Sequence, residues 1–258
     1  MRLRQSSSNA PSNAARATNV TRATRSGAAA GFSLLEMLIA IAILGVVTGA
    51  VFEQISTMQK KSQSEAMKLD LSQQSREFLD QTVRDLHMAG YPKSAMYANM
   101  PDNTDNRVAA GLVAVSPASI LMEGDVNSEG QVYSVKIVYV PVDPADAACP
   151  CLRRFAVPKT PGNPLAQPTA TNYTETTQVL PPGIGPGLSG EDLFAFYDMN
   201  GNPVDVTAGA DISTSGGQAT IASIKTIKIN LSLGTNLRDP ASGGLMRTSM
   251  SATARLNQ

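Results

Sequence analysis

The chain has 258 residues with 21 basic and 21 acidic side chains, one histidine, two cysteines and no tryptophan. Such a balance gives nucleic-acid binding little electrostatic support, and no cluster of cysteine and histidine is present to bind a metal. The charge is unevenly placed: five arginines fall within residues 1–31, so the remainder holds 16 basic and 21 acidic residues, a net of −5.

Residues 1–30 carry Arg2, Arg4, Arg16, Arg22 and Arg25, no lysine and no acid, in a background of Ser, Ala, Asn and Thr. Too little apolar surface is present for this leader to fold. Next comes GFSLLEMLIAIAILGVVTGAV, from Gly31 to Val51, long enough to cross a bilayer as a helix at ~1.5 Å per residue. Arginines beside a span hold that side in the cytoplasm, so residues beyond Phe52 are expected outside. The apolar block is longer than a secretory h-region and has no small-residue break. One acid, Glu36, interrupts it, and an acid costs roughly 2.5–3.5 kcal/mol at the bilayer centre and less near an edge.

Residues 53–89 contain neither Pro nor Gly. Met67, Leu71, Phe78, Leu79, Val83 and Leu86 recur at helical spacing, with charged and amide side chains between them, which predicts an amphipathic helix with one stripe to bury. Gly90 and Pro92 supply the stop. The expectation is one helix from Phe32 to Ala89, about 85 Å long, apolar all round in its first half and on one face in its second.

Beyond the helix the pattern turns to β. Candidate strands are Leu112–Val115, Ile120–Glu123, Gln131–Val140, Arg153–Val157, Leu193–Tyr197, Ala219–Leu233 and Leu245–Leu256, the sixth with a phase slip near Lys225 that reads as a bulge. Short spacing favours antiparallel pairing in one sheet that covers the amphipathic half of the helix. Pro158–Gly190, with seven prolines, reads as an exposed loop, and Asn200–Gly217 as a weaker one. The fold class is α+β.

GFSLLE at the head of an apolar run, after a basic leader, resembles the N-terminal signal of type IV pilins and type II secretion pseudopilins. The resemblance implies a pilin-like fold, a long N-terminal helix packed on an antiparallel β-sheet head. It implies a leader (1–31) removed by a prepilin peptidase that cuts between Gly31 and Phe32 and methylates the new amino terminus at Phe32. A transmembrane helix (32–53), an amphipathic helix (54–90) and a β-rich periplasmic or extracellular head (91–258, with the Pro-rich loop at 158–190) follow. Glu36 becomes the fifth mature residue, the subunit-assembly acid that pairs in trans with a neighbour's amine. Implied partners are the peptidase/N-methyltransferase, other pilins or pseudopilins, the inner-membrane assembly platform and membrane lipid, with no nucleic acid contact. Implied localisation is the inner membrane, single-pass with the N-terminus cytoplasmic, and then the pilus or pseudopilus.

SREFLDQTVRDLHMAGYP (Ser75 to Pro92) and RTSMSATARLNQ (Arg247 to Gln258) resemble the helix end and closing strand of PilW-type minor pilins and of J-type pseudopilins. The implied function is a minor pilin of an initiation or tip complex, serving adhesion, motility or DNA uptake. The alternatives are a J-type pseudopilin of a type II secretion system and a membrane-anchored ligand-binding or adhesive module.

The residues also carry plainer readings. Glu36 suits a helix N-terminus by charge alone. His87, near a helix end, reads as a solvated residue or one that compensates the charge of the helix C-terminus. Cys149-Pro150-Cys151 leaves open a local disulfide, thiols free or paired between molecules, and a redox or metal role: the compartment favours oxidation, whereas a one-residue spacing makes a small strained ring. Asp143 and Asp146 flank Pro144 as turn residues rather than calcium ligands. No GxSxG, Walker or HExxH motif occurs, so no catalytic residue, metal or cofactor is expected.

Overall fold

The computed structural model describes residues 32–141, 149–167, 175–178, 192–240 and 242–256. Contacts divide the chain into two compact units, Met1–Phe52 and Glu53–Gln258. The described part of the first is the start of helix α1 (Leu34–Met88, 55 residues), and the second holds the rest of that helix and every strand. The leader and Gly31 lie outside the described residues.

In its second half α1 buries Leu71, Phe78, Leu79 and Leu86, with Met67 and Val83 half-buried beside them. This is the stripe the spacing predicts. The helix stops where Gly90 takes φ +80°, a conformation that costs glycine little. The chain then knits to a strand edge: Gly90 N–H donates to Glu123 O at 2.9 Å, and Asp125 N–H to Tyr91 O at 2.9 Å. Gly124 faces the helix end so closely that a Cβ there would lie 2.4 Å from Met88 O.

The strands are β1 (Gly111–Ser116), β2 (Ser119–Gly124), β3 (Tyr133–Val140), β4 (Cys151–Pro158), β5 (Glu175–Gln178), β6 (Phe194–Tyr197), β7 (Pro203–Val204), β8 (Ala210–Asp211), β9 (Thr226–Arg238) and β10 (Leu245–Arg255). They form two antiparallel sheets, in the orders β5-β4-β3-β2-β1-β8 and β10-β9-β6-β7. The expected single sheet is therefore corrected to two. The tight turn between β1 and β2 touches both: Ala118 O accepts from Tyr139 N–H in β3 at 2.9 Å, and Pro117 O from Phe194 N–H in β6 at 3.0 Å. One core joins the helix stripe to Leu112, Ile120, Met122, Val135, Ile137 and Leu152 of the first sheet and to Phe194, Phe196, Ile227, Ile229 and Leu231 of the second. This is the α+β, pilin-like architecture.

Three further expectations change. Ala219–Leu233 is not one strand: its start belongs to helix α2 (Ser215–Ser223), and β9 begins at Thr226. Thr214 caps that helix, its Oγ1 accepting from Gly217 N–H at 3.0 Å. Buried Ile221 and Ile224 stand three apart, a helical spacing, before the spacing of two from Ile227 onward. The phase slip near Lys225 is a change of period, not a bulge. Asn200–Gly217 is not a bare loop, since β7, β8 and the start of α2 lie within it. In Pro158–Gly190 the described residues include a 3-10 turn at Pro164–Ala166 and β5, and Lys159 is buried. Asp143 and Asp146, expected as turn residues, lie outside the described residues.

Two buried ion pairs lock the head, and neither follows from periodicity. On α1, Asp85 is fully buried and takes a two-pronged grip from Arg154 of β4: Nε to Oδ2 at 2.6 Å and Nη2 to Oδ1 at 3.0 Å. Gln81 Nε2 adds a donor to Oδ1 at 2.9 Å. The second pair is Lys159 with Glu123, Nζ to Oε2 at 2.7 Å, both side chains fully buried. Lys159 Nζ also donates to Asn103 O and Val108 O, each at 2.7 Å, so one ammonium ties residues 103–108 to the end of β4. Glu123 Oε2 further accepts from Ala110 N–H at 3.0 Å, and Oε1 has no partner among the described residues. Burial pushes the Glu123 carboxyl above the ordinary range, with Lys159 and the Ala110 amide pulling the other way.

These pairs give two expected outcomes, both read by urea unfolding of the detergent-solubilised chain through its tyrosine near-UV signal. Arg154→Met strands the Asp85 charge and should cost about 3–5 kcal/mol, while Asp85→Leu combined with Arg154→Met should cost far less. Equal losses in the two would contradict the pairing. Lys159→Met removes the ammonium that opposes burial at Glu123, so its carboxyl rises further. A carboxyl with a raised native pKa holds its proton more tightly folded than unfolded, and stability then falls as pH rises through that interval. The variant should therefore lose stability more steeply than the parent from about pH 5 upward, by as much as ~1.4 kcal/mol per pH unit. Parallel profiles would refute this.

Candidate assembly site

The chemistry-bearing residues of the N-terminal segment are few. From Leu34 to Phe52 the only polar side chains are Glu36 and Thr48. Thr48 Oγ1 donates to Leu44 O at 2.7 Å, one turn back, which satisfies its hydroxyl within the helix. Glu36 is left as the single outward polar group of this stretch. It occupies the first turn, where Ser33 O accepts from Glu36 N–H at 2.9 Å and from Met37 N–H at 3.1 Å. Ser33 and Glu36 stand at the spacing of a capping box, and an acid there complements the helix dipole. No side-chain hydrogen bond or ion pair of Glu36 occurs among the described residues.

Every apolar side chain around it is exposed. Phe32 is 77% exposed, Leu34 81%, Leu38 59%, Ile41 65%, Leu44 65% and Phe52 67%. Helix α1 is the one described helix long and apolar enough to cross a membrane, and none of its most apolar window is buried. A water-exposed surface of this kind costs on the order of 25 cal/mol per Å². Lipid or neighbouring apolar helices remove that cost. Phe32 and Glu36 lie four residues apart, about one turn, so an amine at Phe32 and the Glu36 carboxylate share one end of the helix.

The remaining candidates are dispersed. Cys149 and Cys151 are joined by a disulfide just before and within β4, with Cys151 fully buried and Cys149 nearly so. His87 is exposed at the end of α1 and lines a shallow cleft with Gly90, Tyr91, Lys93, Asp125 and Ser128. Asp125 in that cleft is already engaged, accepting from Glu129 N–H at 3.0 Å and Gly130 N–H at 2.9 Å. Among the described residues no group of three or more His, Cys, Asp or Glu is arranged to hold a metal ion. Sequence reasoning missed Asp85, Arg154, Glu123 and Lys159. Asp85 carried a signal, standing seven residues after Phe78 and thus on the buried face.

Comparison with known proteins bears on the N-terminal segment. Residues 27–52 match the family model described as prokaryotic N-terminal methylation motif. No curated protein and no solved structure matches the chain. The matched segment spans Gly31, Phe32 and Glu36 and the apolar half of α1, so this chain carries a type IV pilin-like N-terminal methylation motif, of the kind processed by a prepilin peptidase.

Proposed function

We propose that this chain is a minor pilin of the PilW type, which joins a type IV pilus through its N-terminal helix and serves its initiation or tip complex. The carrying observation is Glu36: one outward carboxylate in an exposed apolar helix, five residues after the cleavable glycine, with no partner of its own among the described residues. Cleavage falls between Gly31 and Phe32, and Phe32 receives the methyl group. Before assembly the helix 32–53 holds the subunit in the inner membrane, leader inside and head outside. In the fibre Glu36 pairs with the Phe32 amine of a neighbour, and the apolar helices exchange lipid for one another. A pair of this kind sets register, because either charge buried alone is so costly. The buried Cys149–Cys151 bond fits an oxidising compartment.

Mass spectrometry of the protein from membranes should find Phe32 at the amino terminus with one added methyl group. A chain that retains the arginine leader would refute the processing step. Glu36→Ala should leave membrane retention intact, measured by resistance to carbonate extraction, and cut recovery in sheared fibres at least about tenfold, since the stranded amine costs several kcal/mol. Normal recovery would refute the pairing.

A further inference from the structure

Strand β10 ends its four-stranded sheet, with β9 its only neighbour among the described strands. Hydrogen-bond parity fixes which way its peptide groups point. Asn230 N–H donates to Leu193 O at 2.8 Å, in line with the register that sets Ala195 opposite Lys228 and Tyr197 opposite Thr226. Even-numbered residues of β9 thus bond toward β6, and odd-numbered ones toward β10. Independently, Leu256 N–H donates to Lys225 O at 2.9 Å, continuing the register Ala254–Ile227, Ala252–Ile229 and Met250–Leu231. The even residues of β10 therefore bond to β9. The peptide groups of Arg247, Ser249, Ser251, Thr253 and Arg255 face the open edge, and the same five side chains are exposed.

Natural sheets blunt edges of this length with proline, a bulge or an inward charge. From Arg247 to Arg255 the register is unbroken, proline is absent, and the only charges are the two terminal arginines around a neutral TSMSATA run. In a chain whose part beyond Gly31 is net acidic, this edge is purely cationic.

We propose that the β10 edge docks an extended strand of another protein, held by main-chain hydrogen bonds and selected by carboxylates about eight residues apart, opposite Arg247 and Arg255. A second copy does not suit it: antiparallel pairing of all five outward residues centres on Ser251 and sets Arg247 against Arg255 at both ends. The occupant is a different strand with acids at its flanks. This contact is separate from the helix packing through Glu36.

The test uses the full chain in detergent, residue-resolved amide hydrogen exchange, and two synthetic peptides, ETVTVTVTE and KTVTVTVTK. The acidic peptide should slow exchange at Arg247, Ser249, Ser251, Thr253 and Arg255 by about tenfold or more, and the basic one much less. No slowing, equal slowing by both peptides, or odd-numbered amides already as protected as their even neighbours in the free chain would each overturn the proposal. Ser251→Pro and, separately, Thr253→Pro delete only an outward N–H, so the tyrosine near-UV signal should persist while peptide protection disappears. Protection that survives in these variants, or unfolding of both, would equally overturn it.

Discussion

Helix α1 runs unbroken from Leu34 to Met88, yet its side chains ask for different surroundings at its two ends. From Phe32 to Phe52 no side chain is buried and nearly every one is apolar, so water is the wrong solvent. After Ser64 one stripe is buried and the opposite face is charged, so lipid is the wrong solvent. The backbone allows both, because a helix satisfies its own peptide groups in either medium. The glycines in the apolar half, Gly45 and Gly49, have no heavy atom near where a Cβ would stand. They pack against nothing among the described residues.

A helix that must hold its head firmly needs more than a greasy stripe, because apolar contact is non-directional. Direction comes from the joints. At the helix end, Gly90 and Gly124 let two backbones approach closely enough to exchange hydrogen bonds. One to two turns earlier, Asp85 and Arg154 fix which strand faces which turn. On the other face of the first sheet, Lys159 gathers three oxygens and pins the segment that follows the helix. Each joint has a steep cost of misalignment, so together they set register where the core alone would tolerate sliding.

The stripe from Met67 to Leu86 was legible in the sequence, because a period near 3.6 has one interpretation over five turns. The same rule failed at Ala219–Leu233, where two elements abut and only the spacing of Ile221 and Ile224 marks the helix. Six strands were legible as alternation, but not their division into two sheets, since pairing depends on contacts distant in sequence. Asp85 and Arg154 are 69 residues apart, and a charge inside a stripe reads locally as its polar margin. Lys159 was hidden by its company, for a lysine among prolines looks solvated. The candidate assembly residue is a different case. Glu36 stood out at once because its neighbours are so uniform, and the structure adds the first-turn geometry rather than the residue.

Two acids of the head, Asp85 and Glu123, are fully buried. Asp85 finds Arg154 and Glu123 finds Lys159, each cation supplied by a distant stretch of the same chain. Glu36 has no such cation among the described residues, and the helix positions within a turn of it are apolar. An acid removed from water must be protonated or paired. Within the folded chain the rule is met by pairing, twice, with short geometry. Under the proposed assembly, Glu36 meets the same rule with the Phe32 amine of a neighbouring helix. The proposed pairing thus asks of the N-terminal end of the helix what Arg154 and Lys159 do in the head, the supply of a cation from a distant stretch of chain.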